Sequence, residues 1–260
     1  MRCLVKAPRV PAPWTRIRTL ALVGLLSLAG ATRAAAVTVT PNALYIDHRT
    51  RSGTLTLYNR GDLPEEIDIG FAYGVPQSDA EGNISVPLVE GEAQNPRSAA
   101  PWLRVFPRRL TLQPGQRQVI RILVQPPAEI ADGEYWARVL IRSRGGQPPI
   151  EERRGGITVQ LNMETVLVTA VNYRKGAVQT GVQVKGGTAR NDSEGAKLVL
   201  DLDRQGNAAY LGRVVAQLVA PGGAVLVETA EPVAVYGPLR IAVVLPVQAA
   251  PVPRGATVRY

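Results

Sequence analysis

Few residues in this chain could do chemistry, and their spacing argues against catalysis. There is one histidine, His48, and one cysteine, Cys3, in 260 residues. A zinc site needs several converging His, Cys or carboxylate ligands, and a cysteine nucleophile needs a base beside it. Neither set can be assembled. A serine triad would have only His48 as its base, and that residue sits at a strand end beside Arg49 and Arg51, where a solvated turn residue is the simpler account. The run Asp201-Leu202-Asp203-Arg204-Gln205-Gly206 opens like a calcium loop. Its fifth position is Gln205 and its twelfth is Gly212, where a bidentate glutamate belongs, so a strand running into a turn is expected. No glycine-rich turn leaves a strand and opens a helix to cradle phosphate. Arg60-Gly61-Asp62 reads as a hairpin turn and not as an adhesion motif. No enzymatic activity, metal or cofactor is expected.

What remains is a candidate binding row. Residues 157–172, ITVQLNMETVLVTAVN, alternate over most of their length. Ile157, Val159, Leu161, Met163, Thr165 and Leu167 share one face, and Thr158, Gln160, Asn162 and Glu164 share the other, as in a long strand with one apolar side. The preceding residues 150–156, IEERRGG, are charged and glycine-rich and read as a mobile loop. Residues 172–176, NYRKG, break the pattern. Such a strand can close one domain and also offer an apolar row to a partner. Alternation alone does not say which face is inward, and Val166 and Val168 make the other face apolar further along.

The surrounding elements are short strands. Residues 37–47 carry β-branched alternation interrupted by Pro41, which suits an edge strand or one that switches sheets. Leu55 and Leu57 alternate in residues 52–59, and residues 66–73 form the next strand. Residues 74–100 lack periodicity and read as a long loop with one short strand near 86–89. In residues 102–126, WLRVFPRRLTLQPGQRQVIRILVQP, Pro114-Gly115 centres a type II turn. Ile120, Ile122 and Val124 then face inward, as do Tyr135, Ala137, Val139 and Ile141. About seven strands at hairpin spacing, with no convincing helix, predict an immunoglobulin-like sandwich. After residue 173 the same grammar resumes in seven shorter strands, with turns at 204–207 and 221–223. The expected fold is all-β: two tandem immunoglobulin-like sandwich domains, 37–173 and 174–260.

Residues 1–36 are expected to be a secretory signal peptide. They combine a basic start, the apolar run LALVGLLSL and the small residues Ala34-Ala35-Ala36. The apolar run is short for a membrane span, and no later one is longer. Removing this segment removes Cys3, so disulfides are excluded and packed cores must supply stability. It also removes six basic residues and no acidic one, so the formal charge falls from +9 to +3. With few aromatics, that charge makes nucleic acid a poor partner.

The order of these parts carries a resemblance. The run LRVFPRRLTLQPGQRQVIRILVQPPAEIADGEYWARVLI, a charged segment, a long alternating strand and a second β-domain resemble the periplasmic pilus chaperones of the PapD/FimC type. The resemblance covers residues 37–174 and is strongest over 102–174; the second domain matches in class and size. It implies a periplasmic protein that caps pilus or fimbrial subunits by donor-strand complementation, a form of strand addition. It also implies an outer-membrane usher as a further partner and leaves open a self-capping dimer. Carried over by pattern, the donor residues are Ile157, Val159, Leu161 and Met163. The family's arginine and lysine that grip the subunit carboxylate fall near Ala43 and Val168, so that anchor is unassigned in this chain. The alternative is an exported structural or adhesive sandwich protein in which the row is ordinary core.

Overall fold

The computed structural model describes residues 37–91, 95–145, 150–154, 157–161, 163–192, 195–246, 252 and 254–260, and side chains everywhere within these except 150–161 and 191–192. The expected leader, 1–36, lies outside the described residues. The first half contains β1 (Val37–Thr40), β2 (Ala43–Asp47), β3 (Ser52–Asn59) and β4 (Glu65–Tyr73). Three two-residue strands follow: β5 (Gln77–Ser78), β6 (Ile84–Ser85) and β7 (Val89–Glu90). After a single 3-10 turn at Ala100–Trp102 come β8 (Leu103–Phe106), β9 (Arg109–Leu112), β10 (Arg117–Val124) and β11 (Gly133–Arg144). A paired ribbon, β12 (Ile150–Arg154) and β13 (Ile157–Leu161), leads into β14 (Glu164–Lys175).

One sheet runs β1-β3-β10-β8, and the sheet facing it runs β2-β14-β11-β4-β7, with β9 also on β4. Alternation decides what lies between them. Leu55, Leu57, Ile120, Ile122, Val139 and Ile141 are buried in one core, as their period-two spacing predicts. Each such side chain contributes roughly 1.5–3 kcal/mol on burial. Residues 113–116 form the expected turn, with Gln116 N–H donating to the Gln113 carbonyl at 3.0 Å and Gly115 at φ +71°. Proline lacks a ladder donor, and two of the changes of sheet fall at one: Pro41 between β1 and β2, and Pro107 between β8 and β9.

The second half builds β15 (Thr180–Asp192), β16 (Gly195–Gly206), β17 (Tyr210–Val219), β18 (Val225–Val235), β19 (Leu239–Pro246) and β20 (Thr257–Arg259). Sheets β15-β16-β19 and β18-β17-β20 enclose a separate core that includes Leu198, Leu200, Leu218, Val235, Val243 and Leu245. The chain is therefore all-β, with two immunoglobulin-like sandwiches each closed over its own core.

Four expectations need correction. Arg60-Gly61-Asp62 is a turn but not a hairpin, because β3 and β4 belong to opposite sheets. Residues 150–154 are not a loop: they form β12, paired with β13 from Ile150↔Leu161 to Arg154↔Ile157. The single strand expected over 157–172 is interrupted between Leu161 and Glu164, and its second part continues to Lys175 because Tyr173 is wholly buried. The strands expected over 224–227 and 233–236 are parts of one strand, β18 (Val225–Val235), which accommodates Pro232 because among the described residues it pairs only with β17.

The connection between the halves is tied to the 206–208 turn. Asn207 and Ala208 N–H groups donate to the Gln179 carbonyl at 3.0 and 3.1 Å, and Gln179 N–H donates to Asn207 Oδ1 at 2.7 Å. Gly206 makes this approach feasible: its φ is +82°, and a Cβ there would lie 2.4 Å from the Gln179 carbonyl oxygen. Gly206→Ala is expected to lower stability by about 2–3 kcal/mol, combining left-handed strain with displaced backbone. Urea unfolding checks this; a loss near zero would mean that the Gln179 carbonyl can retreat freely.

Candidate functional site

Strand β14 is only half covered. On one side β11 pairs with it along its whole length, from Arg144↔Glu164 to Gly133↔Lys175. On the other side β2 runs parallel to it only over Ala170–Arg174. The chain enters β2 from Pro41, and the last contact is Ala170 N–H donating to the Asn42 carbonyl at 3.2 Å. Among the described residues, 164–169 thus have an open edge, whose free N–H and C=O groups form a template for another strand.

Side chains along this stretch alternate. Leu167, Val171 and Tyr173 pack on the first core. Val166 and Val168 point away from it, 44% and 46% exposed, and Met163 at the entry to β14 is 60% exposed. Thr169 is fully buried and its hydroxyl has no hydrogen-bond partner. The apolar row expected over 157–167 is therefore not one uninterrupted face: Leu167 belongs to the core and Met163 to the surface.

The ribbon follows on from the β11–β14 pair. β13 pairs only with β12 among the described residues. Ile157, Val159 and Leu161 share β13, opposite Arg154, Glu152 and Ile150. Their side chains lie outside the described residues. At the root of the ribbon the Glu164 carboxylate meets Arg144 and, at 3.8 Å, Arg142, which also reaches Glu90 on β7. This exposed network joins β7, β11 and β14 and carries modest energy, on the order of 1 kcal/mol per pair or less. Residue type alone did not reveal it, since arginine and glutamate on a strand read as solvent-facing.

The positions where the family's basic pair falls are neighbours in space. Ala43 pairs with Ala170, two residues beyond Val168 on β14. Both positions are non-ionic, so no carboxylate grip can be assigned to them. The basic residue closest to them along β14, Arg174, is already engaged. Its Nε donates to Glu134 Oε2 at 2.6 Å, and its guanidinium lies 4.5 Å from the Tyr45 ring centre.

Glu134 is the centre of the junction between the sandwiches. Its side chain is 1% exposed. It accepts from Trp136 Nε1 at 2.7 Å, from Ala209 N–H at 3.2 Å and from Arg174. Trp136, Ala209 and Tyr236 form a small buried cluster at this point. Burial pushes the Tyr236 hydroxyl pKa up, an effect that neighbouring Arg138 partly offsets. A second contact lies at the β5–β6 excursion. Arg240 N–H donates to Ser78 Oγ at 2.8 Å, and Arg240 Nη1 donates to the Ala80 carbonyl at 3.2 Å.

The residues first considered for catalysis have structural partners. His48 Nδ1 bonds the Tyr173 hydroxyl, and Arg51 Nη2 lies 3.1 Å from His48 Nε2. Arginine can only donate, so Nε2 is the acceptor in this contact. Asp201 is held by Arg240 through contacts of 2.7 and 3.0 Å, which lower its carboxyl pKa. It lies within β16, as a strand reading of residues 201–206 expects.

No family model matches the chain, and no curated protein matches it. Among solved structures, it is similar at low identity to chaperones, several of them named for pili or fimbriae. The YadV chaperone is 10% identical with a TM-score of 0.48, over 86% of this chain and 91% of that one. A chain of the CsuC–CsuE chaperone–tip adhesion subunit pre-assembly complex, from archaic Csu pili of Acinetobacter baumannii, is 10% identical with a TM-score of 0.46, covering 86% and 98%. A chain of the Salmonella enterica SafA pilin–SafB chaperone complex is 15% identical with a TM-score of 0.42, covering 83% and 99%. The fold assignment itself stands on the sheet order and the two cores.

Proposed function

We propose that the protein is a periplasmic chaperone for subunits of a surface fibre, acting without a cofactor. It receives the subunit on the ribbon and the open half of β14. The observation that carries this reading is the unpaired edge of residues 164–169, which adjoins the ribbon and has Met163, Val166 and Val168 exposed beside it. An exposed apolar strand edge is normally an aggregation hazard, and natural sheets cover or charge such edges. A client strand would be its natural cover. Backbone hydrogen bonds would supply affinity, and Ile157, Val159, Leu161 and Met163 would supply the alternate side chains of a donor strand. Three buried aliphatic chains are worth roughly 5–9 kcal/mol before the costs of association. In this reading residues 37–173 form the client-binding domain, 174–260 the second domain, and 1–36 are removed on export. An outer-membrane usher would take over the complex, and a self-capped dimer would protect the edge between clients.

The second reading, an exported structural or adhesive module, is favoured by Leu167, Val171 and Tyr173, which commit the lower part of the row to the core. One experiment separates the two. The protein is co-expressed in a bacterial periplasm with the fibre subunits encoded beside it, and parent is compared with a Val159→Asp/Leu161→Asp/Met163→Asp variant in pull-downs. The parent is expected to retain a subunit and the folded variant to lose at least about 100-fold in affinity, as burial of three aliphatic chains requires. Retention of no subunit by the parent, or equal retention by both, would favour the structural reading.

A further inference from the structure

The outer face of the sheet β1-β3-β10-β8 differs from the rest of the surface. Register puts Arg117, Val119, Arg121 and Leu123 of β10 on it, with Arg104 and Phe106 of β8 beside them. Strands β1 and β3 add threonines, a serine and Tyr58, whose ring carries the guanidinium groups of Arg117 and Arg60 at 4.8 and 5.7 Å. None of the four strands contains an aspartate or a glutamate. The facing sheet is the opposite case: its Arg142, Arg144 and Arg174 each meet a glutamate. Among the described residues, Arg60, Arg104, Arg117 and Arg121 enter no ion pair, so their charge is uncompensated.

Between these cations stand apolar side chains that the core does not use. Phe106 is 77% exposed and Val119 54%. Phe106 lies directly opposite Arg121, and the exposed Leu123 lies opposite Arg104. A solvated sheet face needs none of them.

We propose that this face adsorbs to an anionic phospholipid surface. Phe106, Val119 and Leu123 would enter the boundary between headgroups and acyl chains while the arginines meet lipid phosphates. Two features favour lipid over an acidic protein. Apolar tips and cations alternate on one broad face, so both are used at the same depth, and none of its four strands carries a carboxylate to repel a continuous sheet of phosphate. The binding is peripheral, and it leaves the open edge of β14, which belongs to the other sheet, free to act.

Flotation of the purified exported protein tests this, with vesicles of phosphatidylcholine alone and of equal parts phosphatidylcholine and phosphatidylglycerol. The parent is expected to float with the anionic vesicles at low salt and not with the neutral ones. Each arginine near such a surface contributes about five-fold to affinity, so Arg104→Gln/Arg121→Gln should lose roughly 25-fold. Phe106→Ser should weaken binding about ten-fold and leave a residual component that salt removes. All three side chains point outward, so far-UV circular dichroism should be unchanged. Failure to float with anionic vesicles, or flotation unaltered in the variants, would overturn the proposal. Retention on immobilised polyglutamate without any vesicle binding would overturn it too and assign the face to an acidic protein.

Discussion

Replacing Glu134 by alanine is expected to cost about 4 kcal/mol of stability and to let the two sandwiches unfold separately. The carboxylate is nearly inaccessible and serves three donors on both sides of the junction: Trp136 Nε1, Arg174 Nε and Ala209 N–H. Removing it strands two buried neutral donors, each costing roughly 1–3 kcal/mol when left without a partner. It also leaves Arg174 without its carboxylate. Arg174 is 38% exposed, so water recovers part of that loss and the full buried-pair penalty does not apply. Glu134→Gln keeps an acceptor for Trp136 and Ala209 and should lose only about 1–2 kcal/mol. Urea unfolding followed by tryptophan fluorescence distinguishes the cases: one transition for the parent and for Glu134→Gln, two for Glu134→Ala. A single unshifted transition in Glu134→Ala would show that the cluster of Trp136, Ala209 and Tyr236 holds the junction without the carboxylate.

A loss of about 3–4 kcal/mol is expected for Asn59→Ala, within the first sandwich. Asn59 is wholly buried at the end of β3. Its Nδ2 donates to the carbonyls of Leu63 and Leu112 at 2.8 and 2.9 Å, and its Oδ1 accepts from Gly61 N–H at 2.9 Å. Its backbone takes part as well, through Gln116 and Gly115 at 3.1 and 2.9 Å. One amide therefore closes the 60–63 turn, the end of β9 and the 113–116 turn. Alanine leaves the buried Leu112 carbonyl without this partner and the part-buried Leu63 carbonyl and Gly61 N–H without theirs, together with a small cavity. Asn59→Asp should be about as damaging, because both Nδ2 donors vanish and a charge is buried in their place. Thermal denaturation of the two variants reads this directly, and a loss below about 1 kcal/mol would mean that water replaces the amide.

Periodicity made the cores legible. Leu55 and Leu57, Ile120 to Val124 and Tyr135 to Ile141 are spaced so that only a strand can bury them together. The turn at 113–116 and the change of sheet at Pro41 followed from the backbone limits of glycine and proline. Pairing across long separations was not legible in the same way. Residues 150–154 are mostly charged and alternate weakly, and they become a strand because β13 offers a partner in register. The 60–62 turn read as a hairpin because local sequence does not say which sheet the next strand joins. Asn59 and Glu134 were missed for one physical reason: a polar side chain reads as exposed until the groups that satisfy it are brought together by the fold. For the proposed binding row, Ile157, Val159, Leu161 and Met163 came from alternation together with the family resemblance, but the open edge beside them is a property of how short β2 is.

The excursion carrying β5 and β6 sets an order of events during synthesis. Arg240 N–H and Ser78 Oγ are separated by 162 positions in the chain. Every strand of the first sandwich has emerged by Lys175, so that core can close while residues 77–85 still lack the surface on which they rest. Strand β19 must form before Ser78 and Ala80 gain their partner, which makes this contact one of the last to assemble. The Ser78–Arg240 contact can therefore form only after the chain has reached β19, long after the strands of the first sandwich are available.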